Sequence, residues 1–243
     1  MFKILVGILG AVLIVGRLVS CAAPESKEEL AARALQYIEE KYDQEFTPVF
    51  YENPDILSTT RTIECITNGI DSEEERVHLY IRYDDEGNVV FSDDYFDFIV
   101  RPEIEEYISS MIPAVFGEHK VFANGPDVPL KFGFTKDNDL ADVLEAYPDF
   151  RMSVHVYIRG SADVPYEEYE RLGKEFEQNL FDTNNNYSLY FFVVNDEMYD
   201  ATTRHDRVFW KEYHDFKNPD GDRLYYSYVE MIDHGTIWVN PYQ

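Results

Sequence analysis

The segment Val77-His78-Leu79-Tyr80-Ile81-Arg82-Tyr83 alternates apolar and polar side chains, and the polar turn Asp85-Glu86-Gly87-Asn88 separates it from Val89–Ser92. A period of two sends Val77, Leu79 and Ile81 to one face of a strand, and a Gly-bearing turn folds the next strand back antiparallel. A hairpin with one apolar face must be covered by another layer, so this segment constrains the chain more than any other. Helical spacing supplies that layer. Leu30, Ala31, Ala34, Leu35 and Ile38 mark a helix from Glu28 to about Tyr42, with Ser26 as its N-cap.

Further strands are expected over Phe46–Glu52 (interrupted by Pro48), Arg61–Thr67, Lys120–Ala123, Ser153–Arg159 and Tyr187–Val194. The last is a continuous apolar-aromatic run, the profile of a strand buried on both faces. Pro102 is expected to open a helix over Glu103–Ile112 and Pro165 one reaching about Phe181, with a short helix over Leu140–Ala146 between them. The chain closes as a meander of Arg207–Asp215, Leu224–Ile232 and Thr236–Asn240. The fold class expected is α+β, two lobes of mainly antiparallel sheet with packed helices. The divisions are 1–20, a tether 21–27, a lobe 28–125 and a lobe 126–243 that ends in the three-stranded antiparallel meander.

Val77-His78-Leu79-Tyr80-Ile81-Arg82 is echoed by Val154-His155-Val156-Tyr157-Ile158-Arg159, and each copy precedes a helix carrying Glu-Glu-Tyr, at 105–107 and 167–169. Each helix is followed by an apolar strand ending in Asn, at Asn124 and Asn195. The echo reads either as a duplicated strand-helix-strand unit or as a coincidence in a Tyr-rich chain.

With 47 Asp and Glu against 21 Lys and Arg the formal net charge is −26. That balance excludes nucleic acid as a partner, because phosphate binding needs clustered Lys and Arg. Hydrophobic residues make up 45% of the chain, enough for a folded core.

None of the acids lies within residues 1–20. Met-Phe-Lys is followed by an apolar run from Ile4 to Gly16, a short positive region and a hydrophobic region of signal-peptide length. Leu18-Val19-Ser20-Cys21 then resembles the lipobox of bacterial lipoproteins. The resemblance implies that the Cys21 thiol receives a diacylglycerol and that residues 1–20 are removed. It also implies a palmitate-bearing membrane anchor at Cys21 and a globular part on the extracytoplasmic face of the cell membrane. Arg17 departs from the pattern. The rival reading, an uncleaved span from about Ile4 to Ala23, would carry that arginine at a cost of ~3 kcal/mol if central. The lipobox with the Lys41-Tyr42-x-x-x-Phe46 helix end resembles uncharacterised lipoproteins of Gram-positive bacteria, which implies a location and no activity.

Signatures of chemistry are sparse. The chain has no Gly-x-Ser-x-Gly, Walker A loop, Gly-x-Gly-x-x-Gly or His-Glu-x-x-His. No catalytic residue, metal ligand or cofactor is therefore expected. Cys65 reads as a small buried hydrophobe. His78 and His155 sit with Tyr80 and Tyr157 on the polar face of their strands, or form a paired pH or metal site between lobes. Asp182-x-Asn184-x-Asn186 starts like an EF-hand loop, but Tyr187 and Val193 break the match. Asp84-Asp85-Glu86, Asp93-Asp94 and Asp220/Asp222 read as turn acids, with weak Ca²⁺ binding as the alternative. A ligand groove is placed at Trp210, Tyr213, Tyr226, Tyr228 and Trp238, for sugar or peptide.

The function expected is a lipid-anchored binding or envelope-interaction module that meets a protein or an envelope polymer. The alternative is an envelope-acting hydrolase with carboxylate or His acid-base residues. A transporter's ligand-capture component fits less well, since such proteins alternate strand and helix throughout.

Overall fold

The structure, a computed structural model, describes residues 26–52, 60–71, 73–124, 133–183, 185–204, 223–232 and 236–239. Among these, no helix is long and apolar enough to cross a membrane. The predicted signal peptide, Cys21 and most of the tether lie outside the described residues, as does the predicted strand Arg207–Asp215.

Helix α1 (Lys27–Tyr42) starts on a capping box. Ser26 Oγ accepts from the Glu29 amide at 3.2 Å, and Glu29 Oε2 accepts from the Ser26 amide at 2.9 Å. Its buried residues, Leu30, Ala34, Ile38 and Tyr42, recur every fourth position and form one stripe. That stripe covers a four-stranded antiparallel sheet in the order β1 (Phe46–Glu52), β2 (Arg61–Thr67), β3 (Val77–Tyr83), β4 (Val89–Asp93). Val77, Leu79 and Ile81 are fully buried while His78 and Tyr80 are half-buried, as the alternation demands. Pro48 does not end β1. It sits on an edge strand beside a register shift, where its missing N–H is tolerated.

Helix α2 (Tyr95–Ser109) corrects the expectation of a helix opening at Pro102. It begins seven residues earlier and carries Pro102 in its interior. Two features explain the early start. Asp93 Oδ1 accepts from the Tyr95 amide at 3.1 Å, supplying an acceptor at the helix entry. Phe96, Val100, Ile104 and Ile108 then hold a continuous buried stripe across the proline. Packing over four turns outweighs one lost backbone bond.

The second sheet has five strands in chain order: β5 (His119–Ala123), β6 (Arg151–Arg159), β7 (Asn186–Val194), β8 (Arg223–Ile232) and β9 (Thr236–Val239). Helix α3 (Leu140–Ala146) precedes β6, α4 (Tyr166–Phe181) joins β6 to β7, and α5 (Asp196–Ala201) follows β7. The pairings are antiparallel except β6 with β7, which run parallel because α4 crosses between them. β7 is buried at eight of its nine positions, as its apolar run predicts.

The protein is thus α+β, with two mainly antiparallel sheets and packed helices. The expected lobe boundary at 125/126 does not separate the sheets, because β5 pairs with β6. Buried side chains of both sheets belong to one contiguous core, with Ile63, Leu79, Ile104, Ile108, Val156 and Phe191 among them. Helix α2 ties β5 and α3 to this core. Its Glu105 accepts from the Ala123 amide at 2.9 Å and its Glu103 from the Leu140 amide at 2.7 Å. The two strands of the sequence echo are paired differently. β3 lies between two antiparallel neighbours, whereas β6 has an antiparallel neighbour on one side and a parallel one on the other.

Candidate functional site

The parallel pair fixes where a cleft can form. Strands β6 and β7 end side by side at Arg159 and Val194, and the chain leaves both in the same direction, into α4 and α5. Carboxyl ends of parallel strands leave a crevice between departing loops. A cleft of about 680 Å³ lies there, between the 159–164 loop, the first turns of α4, Asn195-Asp196 and the 3-10 turn Ala114–Phe116. That volume lies within the usual range of small-ligand sites, roughly 300–1,000 Å³.

Its walls are fixed by local bonds. Tyr169 Oη accepts from the Ser161 amide at 2.6 Å and donates to the Ser161 carbonyl at 2.9 Å. The Gly160 amide donates to the Val194 carbonyl at 2.8 Å, continuing the ladder past the strand end. The Asn195 side chain caps α5 by accepting from the Met198 amide at 2.9 Å. Val115, Phe116, Val164 and Leu172 give the cleft an apolar lining. Val115 is 69% exposed at its rim.

Arg159 stands at one end. Its guanidinium meets Asp196 Oδ1 at 2.9 Å, Glu118 Oε2 at 2.7 Å and the carboxylate of Asp200, and it lies over the Tyr199 ring at 4.4 Å. Its pKa is raised further above the arginine range, first by hydrogen bonds to Asp196 and Asp200. Three carboxylates surround one guanidinium, so the group is acidic in sum.

A second cluster joins α1, β4 and α2. Asp93, whose side chain is fully buried, accepts from Lys41 Nζ at 2.8 Å, Tyr42 Oη at 2.8 Å and Tyr37 Oη at 3.3 Å. Burial, and then the Asp93 charge, push both phenols well above their ordinary value, so they remain donors. Asp94 accepts from the His78 amide at 2.7 Å and meets His78 Nδ1 at 2.7 Å. Asp97 follows on the first turn of α2. Burial, then the charge of Asp94, push its carboxyl up to about 8, against the opposing pull of Arg101 and Lys41.

The sequence-predicted positions are dispersed. Trp210 and Tyr213 lie outside the described residues, so two of the five residues of the expected aromatic groove have no described place. Tyr226 and Tyr228 stand in β8 opposite Phe192 and Tyr190, and Trp238 stands in β9 opposite Glu230. The proposed His78–His155 pairing is not supported by the fold. The two histidines sit on different sheets, His78 against Asp94 and His155 stacked on Tyr190 at 4.6 Å between ring centres. Among the described residues no group of three His, Cys, Asp or Glu is placed to hold a metal ion. Asp182 ends α4 and Asn186 opens β7, while Asn184, Asp220 and Asp222 lie outside the described residues. Cys65 is fully buried, and burial followed by the charges of Asp94 and Glu39 push its thiol up to about 12.

Reasoning from sequence missed the cleft, although its ingredients were visible. Arg159 ends the echoed strand and Asn195 ends the next, and the helix opened by Pro165 lies between them. A strand-helix-strand unit of that form places its loops at one sheet edge. In the sequence Asp93 and Asp94 have the pattern of turn acids and Lys41 that of a helix end, and only the fold brings Asp93 and Lys41 together.

No family model matches the chain and no curated protein is similar to it. Among solved structures, the chain is similar to the crystal structure of a DUF5037 family protein from Ruminococcus gnavus ATCC 29149, at 16% identity and a TM-score of 0.44, over 84% of this chain and 92% of that one.

Proposed function

We propose that the protein is a lipid-anchored, extracytoplasmic binding module that holds a ligand in the cleft at the carboxyl ends of β6 and β7. The cleft carries this reading. It is preformed, its walls are tied by the Tyr169 hydroxyl and the Gly160 amide, and it has an apolar lining under a charged rim. The Cys21 lipobox supports the anchor. Binding requires no nucleophile, and the cleft holds no Ser-His or Cys-His pair among its described residues.

Metabolic labelling with an alkyne-bearing fatty acid tests the anchor, with label lost in Cys21→Ser and unchanged label overturning it. Amide NMR with fractions of envelope peptide and glycan tests the binding site. Shifts confined to residues 159–172 and 195–196 are expected, and shifts confined to other surfaces overturn the cleft.

One observation favours the envelope-hydrolase reading instead. Burial, then the charge of Asp94, push the Asp97 carboxyl up to about 8, so it holds its proton at neutral pH, as a general acid must. Hydrolysis of an envelope polymer that disappears in Asp97→Asn would establish that reading.

A further inference from the structure

The rim of the cleft is acidic. Asp196 and Glu168 stand on it, Glu168 paired with Arg171 at 2.8 Å, with Glu118 and Asp200 behind them on Arg159. An anionic ligand has two features in its favour, the Arg159 guanidinium and the amino-terminal end of α4. Neither is unanswered. Arg159 already meets three carboxylates, and Glu167 and Glu168 occupy the first turn of α4. An incoming anion would face more negative than positive charge at close range, within a protein whose net charge is −26.

A cation gains from the same arrangement. The apolar lining supplies what a bare metal ion could not use. Val115, Phe116, Val164 and Leu172 would cover a hydrocarbon stem of several carbons, and Val115 extends that surface onto the rim at 69% exposure. An aliphatic stem ending in a positive charge, carried on a chain that can lie across an open rim, is a basic side chain of a peptide. Resting on the reading of the cleft as the binding site, we infer that its ligand is a peptide segment inserting a lysine or arginine side chain. The stem packs on the apolar lining and the charged head shares Asp196 with Arg159 and Glu168 with Arg171.

The test is titration calorimetry at physiological salt on the full chain in detergent micelles. Three end-capped peptides are compared, Val-Lys-Val, its isostere with norleucine in place of lysine, and Val-Glu-Val. One basic group per peptide keeps diffuse attraction to an acidic protein small. The lysine peptide is expected to bind at least tenfold more tightly than the norleucine one, and the glutamate peptide not at all. Two variants fill the cleft from exposed positions, Ser161→Trp and Val115→Trp, so misfolding of one leaves the other. Both are expected to abolish the lysine signal. Equal binding of the lysine and norleucine peptides would overturn the basic ligand and leave the cleft as a binding site. Lysine binding that persists in both filled variants would overturn the cleft itself. No heat from any peptide at millimolar concentration would overturn the basic ligand, and the NMR experiment then decides the cleft separately.

Discussion

Lys41 Nζ lies 2.8 Å from Asp93 Oδ2 and closes the end of α1 onto the end of β4, across 52 residues of chain. The carboxylate is fully buried and the lysine only 15% exposed, so the pair works in a poorly solvated place. Removing one partner strands the other. Lys41→Met is expected to cost about 3 kcal/mol, since an unpaired buried charge outweighs the attraction it replaces. The hydroxyls of Tyr37 and Tyr42 soften the loss. Lys41→Met with Asp93→Leu should recover much of it. Urea denaturation of both checks the pair, and a single variant as stable as the parent refutes the argument.

Asp97 gives the protein a pH dependence of known sign. Its folded carboxyl titrates at about 8 and its unfolded one near 4, because burial and the charges of Asp94 and Asp93 outweigh Arg101 and Lys41. Between those values the unfolded chain releases a proton that the folded chain keeps. The contribution of this residue is therefore fully present below pH 4 and lost as pH rises to 8. Asp97→Asn removes the penalty. The variant should gain on the parent by at least about 1 kcal/mol between pH 4 and 8. Chemical denaturation across that range checks it, and a constant difference would be the wrong result.

Pro102 sits inside α2, exposed, where it deletes one backbone hydrogen bond. Pro102→Ala restores the donor and helix propensity, and loses the stiffness that proline gives the unfolded chain. A net gain of about 1–2 kcal/mol is expected from the midpoint of urea unfolding. No gain would mean that the helix has adapted fully to the proline.

The same proline shows why parts of the fold were readable and others were not. Alternation in Val77–Tyr83 and the four-residue stripe of α1 are local patterns, and both elements formed where the pattern placed them. Pro102 carries a local preference for helix starts, but α2 begins where Asp93 offers an acceptor and where Phe96 finds the core. Both facts depend on tertiary neighbours. The parallel pairing of β6 with β7 likewise leaves no mark in either strand, since a strand buried on both faces looks the same in either direction. For the site, the acids were visible as acids. Their roles were not, because Lys41 and Asp93 meet only after the sheet has formed, and Glu118, Asp196 and Asp200 converge on Arg159 from separate segments.

That convergence predicts a salt effect. Arg159→Gln leaves Glu118, Asp196 and Asp200 facing one another without their cation. These carboxylates are exposed, so repulsion among them is open to screening. The variant should melt below the parent at low ionic strength, and the gap should narrow at 1 M salt. A gap of the same size in both conditions would place the loss in packing against Tyr199 instead.

An anchor at Cys21 would hold an acidic domain beside an acidic bilayer. Removing residues 1–20 takes away Lys3 and Arg17 and no acid, which makes the mature chain more negative still. The first turn of α1, the part nearest the tether, adds Glu28 and Glu29. Charges within about 8 Å of an anionic surface are repelled at physiological salt, and those farther away are screened. The domain should therefore stand off the membrane, leaving its acidic cleft open to basic segments. Resonance energy transfer from a dye on the domain to a dye at the bilayer surface measures this in vesicles bearing the anchored protein. Transfer should fall as anionic lipid replaces neutral lipid at low salt and recover at high salt. Transfer that ignores lipid charge at low salt would rule out electrostatic stand-off.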